Sequence, residues 1–293
     1  MPSPRIVAIG DNCVDVYPEL GRVYPGGGAV NFAVHAARLG ADAGYVGTVG
    51  DDRYGALLRR SLEAEHVDTS HLRVVPGSTA VVQVLLDKGE RLFARAEPGV
   101  RSQLRLDLET EAYVLAADLV HTTLDSRVDA AVVRWAAAGR RISFDFSHRP
   151  TSGQLALLPY VDIAFFSGQA IDPADAESVA RHLRGLGARL VVLTLNKYGS
   201  LAFDGTTVWH QPSETVKPLD TLGAGDSFMA GFVSCFLHDG DVAASLAAGA
   251  RAAARVCQHH GAFGRGAALA DGASSKDHAA GGVAGRRPPD DRR

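Results

Sequence analysis

Between Asp220 and Phe232 the chain reads DTLGAGDSFMAGF, which sets a glycine-rich turn and a carboxylate just ahead of an apolar helical pattern. Gly223, Ala224 and Gly225 carry almost no side chain, so a negatively charged group can approach their backbone N–H groups. Phe228, Phe232 and Phe236 recur at the spacing of a buried helical stripe. That stripe predicts a helix starting near Gly225 or Asp226, its unpaired N–H groups facing the turn, and such a helix start binds anions. A phosphoryl group in transfer carries dispersed negative charge, which positioned N–H dipoles stabilise as it develops. Asp226 then stands beside that group with a free carboxylate, ready to take the proton of an attacking hydroxyl. The same residues would also make an ordinary helix cap, since Asp is favoured at N-caps and Gly in turns. No GxxxxGK[ST] run and no Gly-Lys dipeptide occur, which excludes a Walker-type phosphate loop.

A second constellation lies near the start of the chain. Arg5 to Gly10 reads as a short buried strand feeding a loop that holds Asp11, Asn12 and Asp15. The loop runs GDNCVD rather than GxGxxG, so it lacks the dinucleotide fingerprint. Pro25-Gly-Gly-Gly-Ala-Val-Asn31 then precedes a helical pattern reaching Leu39. Gly27 and its neighbours allow a ligand close to the backbone, and Asn31 both donates and accepts; a flexible turn capped by Asn is the competing reading.

The elements that must position these groups alternate strand and helix. A strand over Tyr45–Val49 leads through Gly50–Gly55 into a helix carrying Leu57, Leu58 and Leu62. The pattern switches to an antiparallel hairpin over Ala80–Leu86 and Arg91–Arg95. Such a ribbon is expected to cover one end of the sheet as a lid, with Phe93 and Arg95 as ligand contacts. Strands follow at Asp118–Thr122, Arg141–Phe146, Asp162–Phe166 and Leu190–Thr194, with helical patterns between them. This alternation predicts a largely parallel sheet with helices on both faces. Ligands sit beyond the carboxyl ends of such strands, where His121, Asp145 and Thr194 fall. A hairpin over Ser200–Phe203 and Thr207–His210 leads to the reaction-centre stretch, and an Ala-rich helix spans Val242–His259.

Composition bounds the function. With 293 residues, 46% hydrophobic and 22% charged, the chain has ordinary globular composition, enough for one large α/β domain or two smaller ones. A net charge of -3 gives no basic excess to attract nucleic acid or an anionic membrane. No stretch approaches the length of a membrane span, and Cys13, Cys235 and Cys257 form no CxxC pair, so a reduced, cytoplasmic protein is expected. From residue 264 to residue 293 the chain is Gly, Ala, Pro and charge, the composition of a disordered tail.

Taken together, GGGAVN with AARLG behind it, VGDDRYG, VVLTL and DTLGAGDSFMAGF resemble the ribokinase-like (PfkB-type) carbohydrate kinases, from Arg5 to about Phe263. The resemblance implies a three-layer α/β sandwich over residues 1–263, with a mostly parallel sheet, helices on both faces, and a small β lid from about 12–26 and 79–96. It implies ATP and Mg²⁺ as cofactors, and it allows a monovalent cation and a homodimer. Asp226 takes the place of the catalytic base, and Gly223, Ala224 and Gly225 that of the anion hole. Asp15, Gly27 and Asn31 fall where sugar hydroxyls are held. Thr194, Gly199 and Gly225 fall along the nucleotide, with His259 at the adenine pocket. Where the family carries Asn-x-x-Glu for magnesium, the chain has Ser167-Gly-Gln-Ala-Ile-Asp172, so no residue is assigned to the metal. Within the family, GDNCVDVYP, FDFS and QHHGAF are most similar to the branch that phosphorylates glycated amino acids. That similarity implies a fructosyl-amino acid substrate phosphorylated at its 6-hydroxyl, with Asp11 pairing with the secondary ammonium. A generic ketose or sugar-acid kinase and a non-catalytic sugar-sensing protein are the alternative readings.

Overall fold

The computed structural model describes residues 3–87, 90–148, 150–169 and 171–269, with the backbone alone over 86–87 and 90–93. In chain order the elements are β1 (Arg5–Ile9), β2 (Cys13–Tyr17), β3 (Arg22–Gly26), α1 (Gly28–Arg38), β4 (Asp42–Gly50), α2 (Arg53–Ala64), β5 (Leu72–Val75), β6 (Val81–Asp87) and β7 (Glu90–Glu97). Next come α3 (Leu108–Leu115), β8 (Leu119–Thr123), α4 (Asp129–Ala137), β9 (Arg141–Asp145), α5 (Ser152–Leu155), β10 (Ile163–Ser167), α6 (Ala176–Gly185) and β11 (Leu190–Thr194). The chain closes with β12 (Ser200–Phe203), β13 (Val208–Gln211), α7 (Ala224–Asp239), α8 (Val242–Val256) and β14 (Ala267–Ala268).

The main sheet has nine strands in the order β13-β12-β11-β10-β9-β8-β1-β4-β5. Its pairings are parallel except for β11 with β12 and β12 with β13. The strands are apolar on both faces, as a doubly covered sheet requires. Along β1, Ile6 and Ala8 pack into one core with Phe32, Leu58, Phe228 and Phe232. Val7 and Ile9 pack into the other, with Trp135, Val132 and Leu183. The same two-residue alternation in β10 and β11 sends Phe165 and Val192 one way and Phe166 and Val191 the other. Helices α1, α2, α7 and α8 therefore cover one face and α3, α4 and α6 the other, which is the expected three-layer sandwich. Among the described residues no helix is long and apolar enough to cross a membrane.

A second sheet, β14-β3-β2-β6-β7, stands off the carboxyl end of the first. It contains both segments expected to form the lid, and in it β2 pairs parallel with β6 while the other pairings are antiparallel. Residues 13–17, part of what read as a loop, are strand β2 with Asp15 near its centre. Residues 22–26, whose glycines and proline read as a turn, are strand β3, in which Pro25 sits opposite Val14. Strand β5, parallel to β4 at the sheet edge, carries too short an apolar run to signal itself.

The boundary expected at residue 263 falls inside packed structure. Ala267 and Ala268 pair with Val23 and Arg22, and Leu269 N–H donates to the Gly21 carbonyl. Arg265 reaches the buried carboxylate of Glu65 at 2.6 Å, which Arg38 also grips through two nitrogens. These guanidiniums, Arg38 first, hold the Glu65 pKa down at about 2. Residues 270–293 lie outside the described residues. A chain cut after Gly264 is therefore expected to melt several degrees below one cut after Leu269. Equal melting temperatures in the two truncations would show that this strap contributes nothing.

Candidate active site

Helix α7 begins at Ala224, one residue ahead of the expected start. Its cap, Gly223, is in the left-handed region at φ 76°, and a Cβ there would stand 2.5 Å from the Ala262 methyl. Only glycine fits both demands. Of the N–H groups expected to form an anion hole, that of Ala224 donates back to the Thr221 carbonyl. Those of Gly223, Gly225 and Asp226 have no partner among the described residues. Gly225 is exposed, and a Cβ on it would meet nothing within 4 Å, so this turn faces open space.

Asp226 stands in the first turn of α7, and its Oδ2 accepts a 2.7 Å hydrogen bond from the Nδ2 of Asn31 in α1. Asn31 is buried, and its Oδ1 has no partner, which leaves an acceptor available to a ligand hydroxyl. Burial pushes the Asp226 pKa up to about 7; the Asn31 hydrogen bond opposes that, while the charges of Asp145, Asp11 and Asp15 add to it. Asp145, at the end of β9, is also raised to about 7, chiefly by burial. One of its oxygens accepts from Ser147 N–H. Asp15 is buried against Gly26, where a Cβ would come 2.3 Å from its Oδ2. Gly27, at φ 108°, lets the loop pass over Asn12, whose Cα a Cβ would approach to 2.4 Å. Asp15, Gly27, Asn31 and Asp226 thus converge from β2, the β3–α1 turn, α1 and α7.

Asp11 serves the frame of this cradle. Its carboxylate accepts from Gly28 N–H at 2.6 Å, Ala29 N–H at 3.2 Å and the Thr123 hydroxyl at 2.8 Å. It neutralises the start of α1, where a negative charge is favoured. The pairing with an ammonium expected of it competes with these three donors. His121 is buried in the sheet, stacked on Phe32 at 3.6 Å, with burial lowering its pKa to about 3. It is a neutral core residue.

On the far side of Asp226 opens a cavity of about 790 Å³. Thr194, Gly199 and Gly225, assigned to the nucleotide from sequence, all line it, together with Asp145 and Asp226. Gly199 is confined to its turn, since a Cβ there would meet the Gln211 carbonyl at 2.0 Å. His259 does not line the cavity; its Nδ1 lies 3.3 Å from the neighbouring His260 carbonyl. The apolar wall is instead Ala250, Ala253, Ala254 and Cys257 of the α8 region facing Val216 and Pro218. Sequence reasoning read that alanine face as packing alone. Asp172, in the segment replacing Asn-x-x-Glu, caps a short helical turn through Ala174 N–H. Of the two lid contacts expected, Arg95 is half exposed and pairs with Glu97 at 2.6 Å, and the side chain of Phe93 lies outside the described residues.

A carboxylate, a helix start with open N–H groups and a large cavity meet at one point, the parts that phosphoryl transfer needs. The pfkB family carbohydrate kinase model matches residues 8–264, and the chain belongs to that family. Among curated proteins it is 37% identical over 279 residues to the fructosamine kinase FrlD of Bacillus subtilis, covering 93% of this chain and 98% of that one. It is likewise 37% identical over 262 residues to the fructoselysine 6-kinase of Escherichia coli, covering 88% of this chain and 99% of that one. In fold it is similar to the Arabidopsis thaliana ribokinase complexed with ribose and ATP, with a TM-score of 0.80 at 22% identity, covering 89% of this chain and 95% of that one. The fructokinase of Vibrio cholerae O395 gives a TM-score of 0.75 at 24% identity, covering 92% of this chain and 96% of that one.

Asp226→Asn is expected to lower turnover by about 10²–10⁴, the contribution of a positioned base. Because the base must be ionised, wild-type kcat/KM should climb with pH and level off above about 7. The sign for stability is the reverse. The folded protein holds the Asp226 proton up to about pH 7, so its ionisation opposes folding as pH rises. The Asn variant should therefore gain more melting temperature at about pH 8 than at about pH 5. A flat pH–rate profile, or an Asn variant with more than about a tenth of wild-type turnover, removes Asp226 from the chemistry. Gly225→Val, which sends a branched side chain into the open space before α7, should stay folded by circular dichroism and lose most activity. A fully active Val variant contradicts the anion-hole assignment.

Proposed function

We propose that this protein is an ATP-dependent fructosamine 6-kinase, transferring the γ-phosphoryl group of ATP to the 6-hydroxyl of a fructosyl-amino acid such as fructoselysine. The observation that carries this reading is the 37% identity, over nearly the whole chain, to both a fructosamine kinase and a fructoselysine 6-kinase. The charge around the cradle supports it. Asp11, Asp15 and Asp145 all act on Asp226, and such a carboxylate field favours a sugar that brings its own positive charge. A fructosamine does so through its secondary ammonium.

In this reading Asp15, the Gly27 backbone and the free Oδ1 of Asn31 hold the sugar hydroxyls. The 6-hydroxyl lies against Asp226, which takes its proton as the oxygen attacks the γ-phosphorus and ADP departs. The open N–H groups of Gly225 and Asp226 receive the charge that spreads over the phosphoryl oxygens. The nucleotide occupies the large cavity, its base against the α8 alanines. Among the described residues no group of three His, Cys, Asp or Glu side chains forms a metal cage. Mg²⁺ typically binds through substrate phosphates and one or two carboxylates, and this cavity meets that need. Asp145, with one oxygen making no hydrogen bond among the described residues, would hold the ion, which supplies neutralisation of the phosphate charge when bound.

A coupled ADP-release assay on fructoselysine, fructose and ribose tests the reading. The expected result is a kcat/KM for fructoselysine at least about tenfold above that for fructose, the discrimination one or two charged contacts provide. Equal use of the two sugars makes this a general ketose kinase. No turnover of any sugar leaves a sensing role for the same fold.

A further inference from the structure

A second cavity, of about 380 Å³, lies beyond the ends of β1 and β8. Gly10 and Asp11 line it at one side, and the rest of its lining comes from the segment after β7, the turn between β8 and α4, and α4 itself. Three charged side chains, Arg101, Asp125 and Arg127, line it without making a hydrogen bond or ion pair to any described residue. They do act on one another, since both guanidiniums oppose the upward push that burial and Asp11 give to the Asp125 carboxyl. Arg134, on the same wall, is by contrast paired with Glu111. Leu104, Leu106 and Val128 add aliphatic surface between these charges.

Two features mark this as more than a solvated surface. Arg127 has φ 57°, a left-handed conformation that is unfavourable for a long side chain and that Gly or Asn would adopt with less strain. Keeping an arginine there holds a cation at the cavity against the backbone's preference. The cavity also adjoins the sugar cradle. The Asp11 carbonyl lies 2.8 Å from where a Gly27 Cβ would stand, and the Asp11 carboxylate acts on both Asp145 and Asp226. A ligand whose sugar lies over Gly27 therefore has an open, mixed-charge recess next to it.

We propose that this recess is an amino-acid subsite, with Arg101 and Arg127 receiving the α-carboxylate of a fructosyl-amino acid, Asp125 facing its cationic nitrogen, and the leucines lining its methylenes. The inference rests on the fructosamine reading and extends it by naming what distinguishes the substrate from fructose. Guanidinium recognises carboxylate through paired donors, and an anionic neighbour balances the zwitterion. The sugar cradle holds what all family sugars share; the recess reads the rest.

The test compares fructoselysine with 1-deoxy-1-pentylamino-fructose, which keeps the secondary ammonium and the chain but lacks the α-carboxylate and the α-amine. For the wild type, kcat/KM should favour fructoselysine by on the order of 10–100-fold, the worth of charge-assisted hydrogen bonds, chiefly through KM. Arg127→Asn preserves the left-handed backbone, and Arg101→Gln removes charge at similar length. Each should cut that ratio about tenfold or more with the melting temperature held. A loss of activity equal on both substrates is a structural effect and overturns the subsite, as does an unchanged ratio in folded variants. A wild type that prefers both fructosyl compounds to fructose, yet uses the two alike, overturns the subsite and leaves the fructosamine reading standing. One that prefers fructose to both overturns the two together.

Discussion

The buried carboxylate of Asp220 ties together three parts of the molecule that are remote in sequence. Its Oδ2 accepts from the Tyr17 hydroxyl of β2 at 2.8 Å and from Gly261 N–H at 3.0 Å. Its Oδ1 accepts from Leu222 N–H at 2.9 Å, inside the turn that leads into α7. Hydrogen bonds to an ionised acceptor in a protein interior are strong, and each donor would be left unsatisfied without it. The second sheet, the loop after α8 and the reaction-centre turn therefore share one anchor. This carboxylate therefore fixes the turn that leads to the open N–H groups at the start of α7.

Helix starts are used twice, in opposite ways. The start of α1 is closed by Asp11, an internal anion that both satisfies its N–H groups and braces β1 against Thr123. The start of α7 has no such internal anion, and the carboxylate beside it, Asp226, is turned toward Asn31. One dipole stabilises the frame and the other remains open to an anion. Burial first, and the charge of Asp11 added to it, raises the pKa of both Asp145 and Asp226, which makes Asp226 a stronger base than an exposed carboxylate.

Much of this was legible in the chain. The parallel strands and the phenylalanine stripe of α7 follow from periodicity, and the turn at Gly223–Gly225 follows from residue size. The second sheet was harder to read. Strand β2 carries a charged residue near its centre and β3 a proline, signals that locally favour loops; their pairing with each other and with β6 overrides them. Asp11 was read as a substrate contact because nothing local shows that the α1 N–H groups will reach back to it. The apolar wall of the large cavity was missed because Ala250, Ala253 and Ala254 have the same sequence signature whether they face a helix or a cavity. Arg265 lies in a segment whose composition suggests disorder, and Glu65, 200 residues earlier, gives it a place together with the Ala64 carbonyl.

Strand β2 is made early and completed late. Its neighbour β3 follows directly, but β6 and then β14 are needed to finish that sheet, and Tyr17 waits for a carboxylate 203 residues further on. A chain growing from a ribosome thus holds the second sheet unfinished, the edge of β3 unpaired, until β14 has been synthesised. Unpaired edges recruit other strands. During translation this protein is most exposed to misassembly at the open edge of β3, which makes that strand the place where a chaperone would do most good.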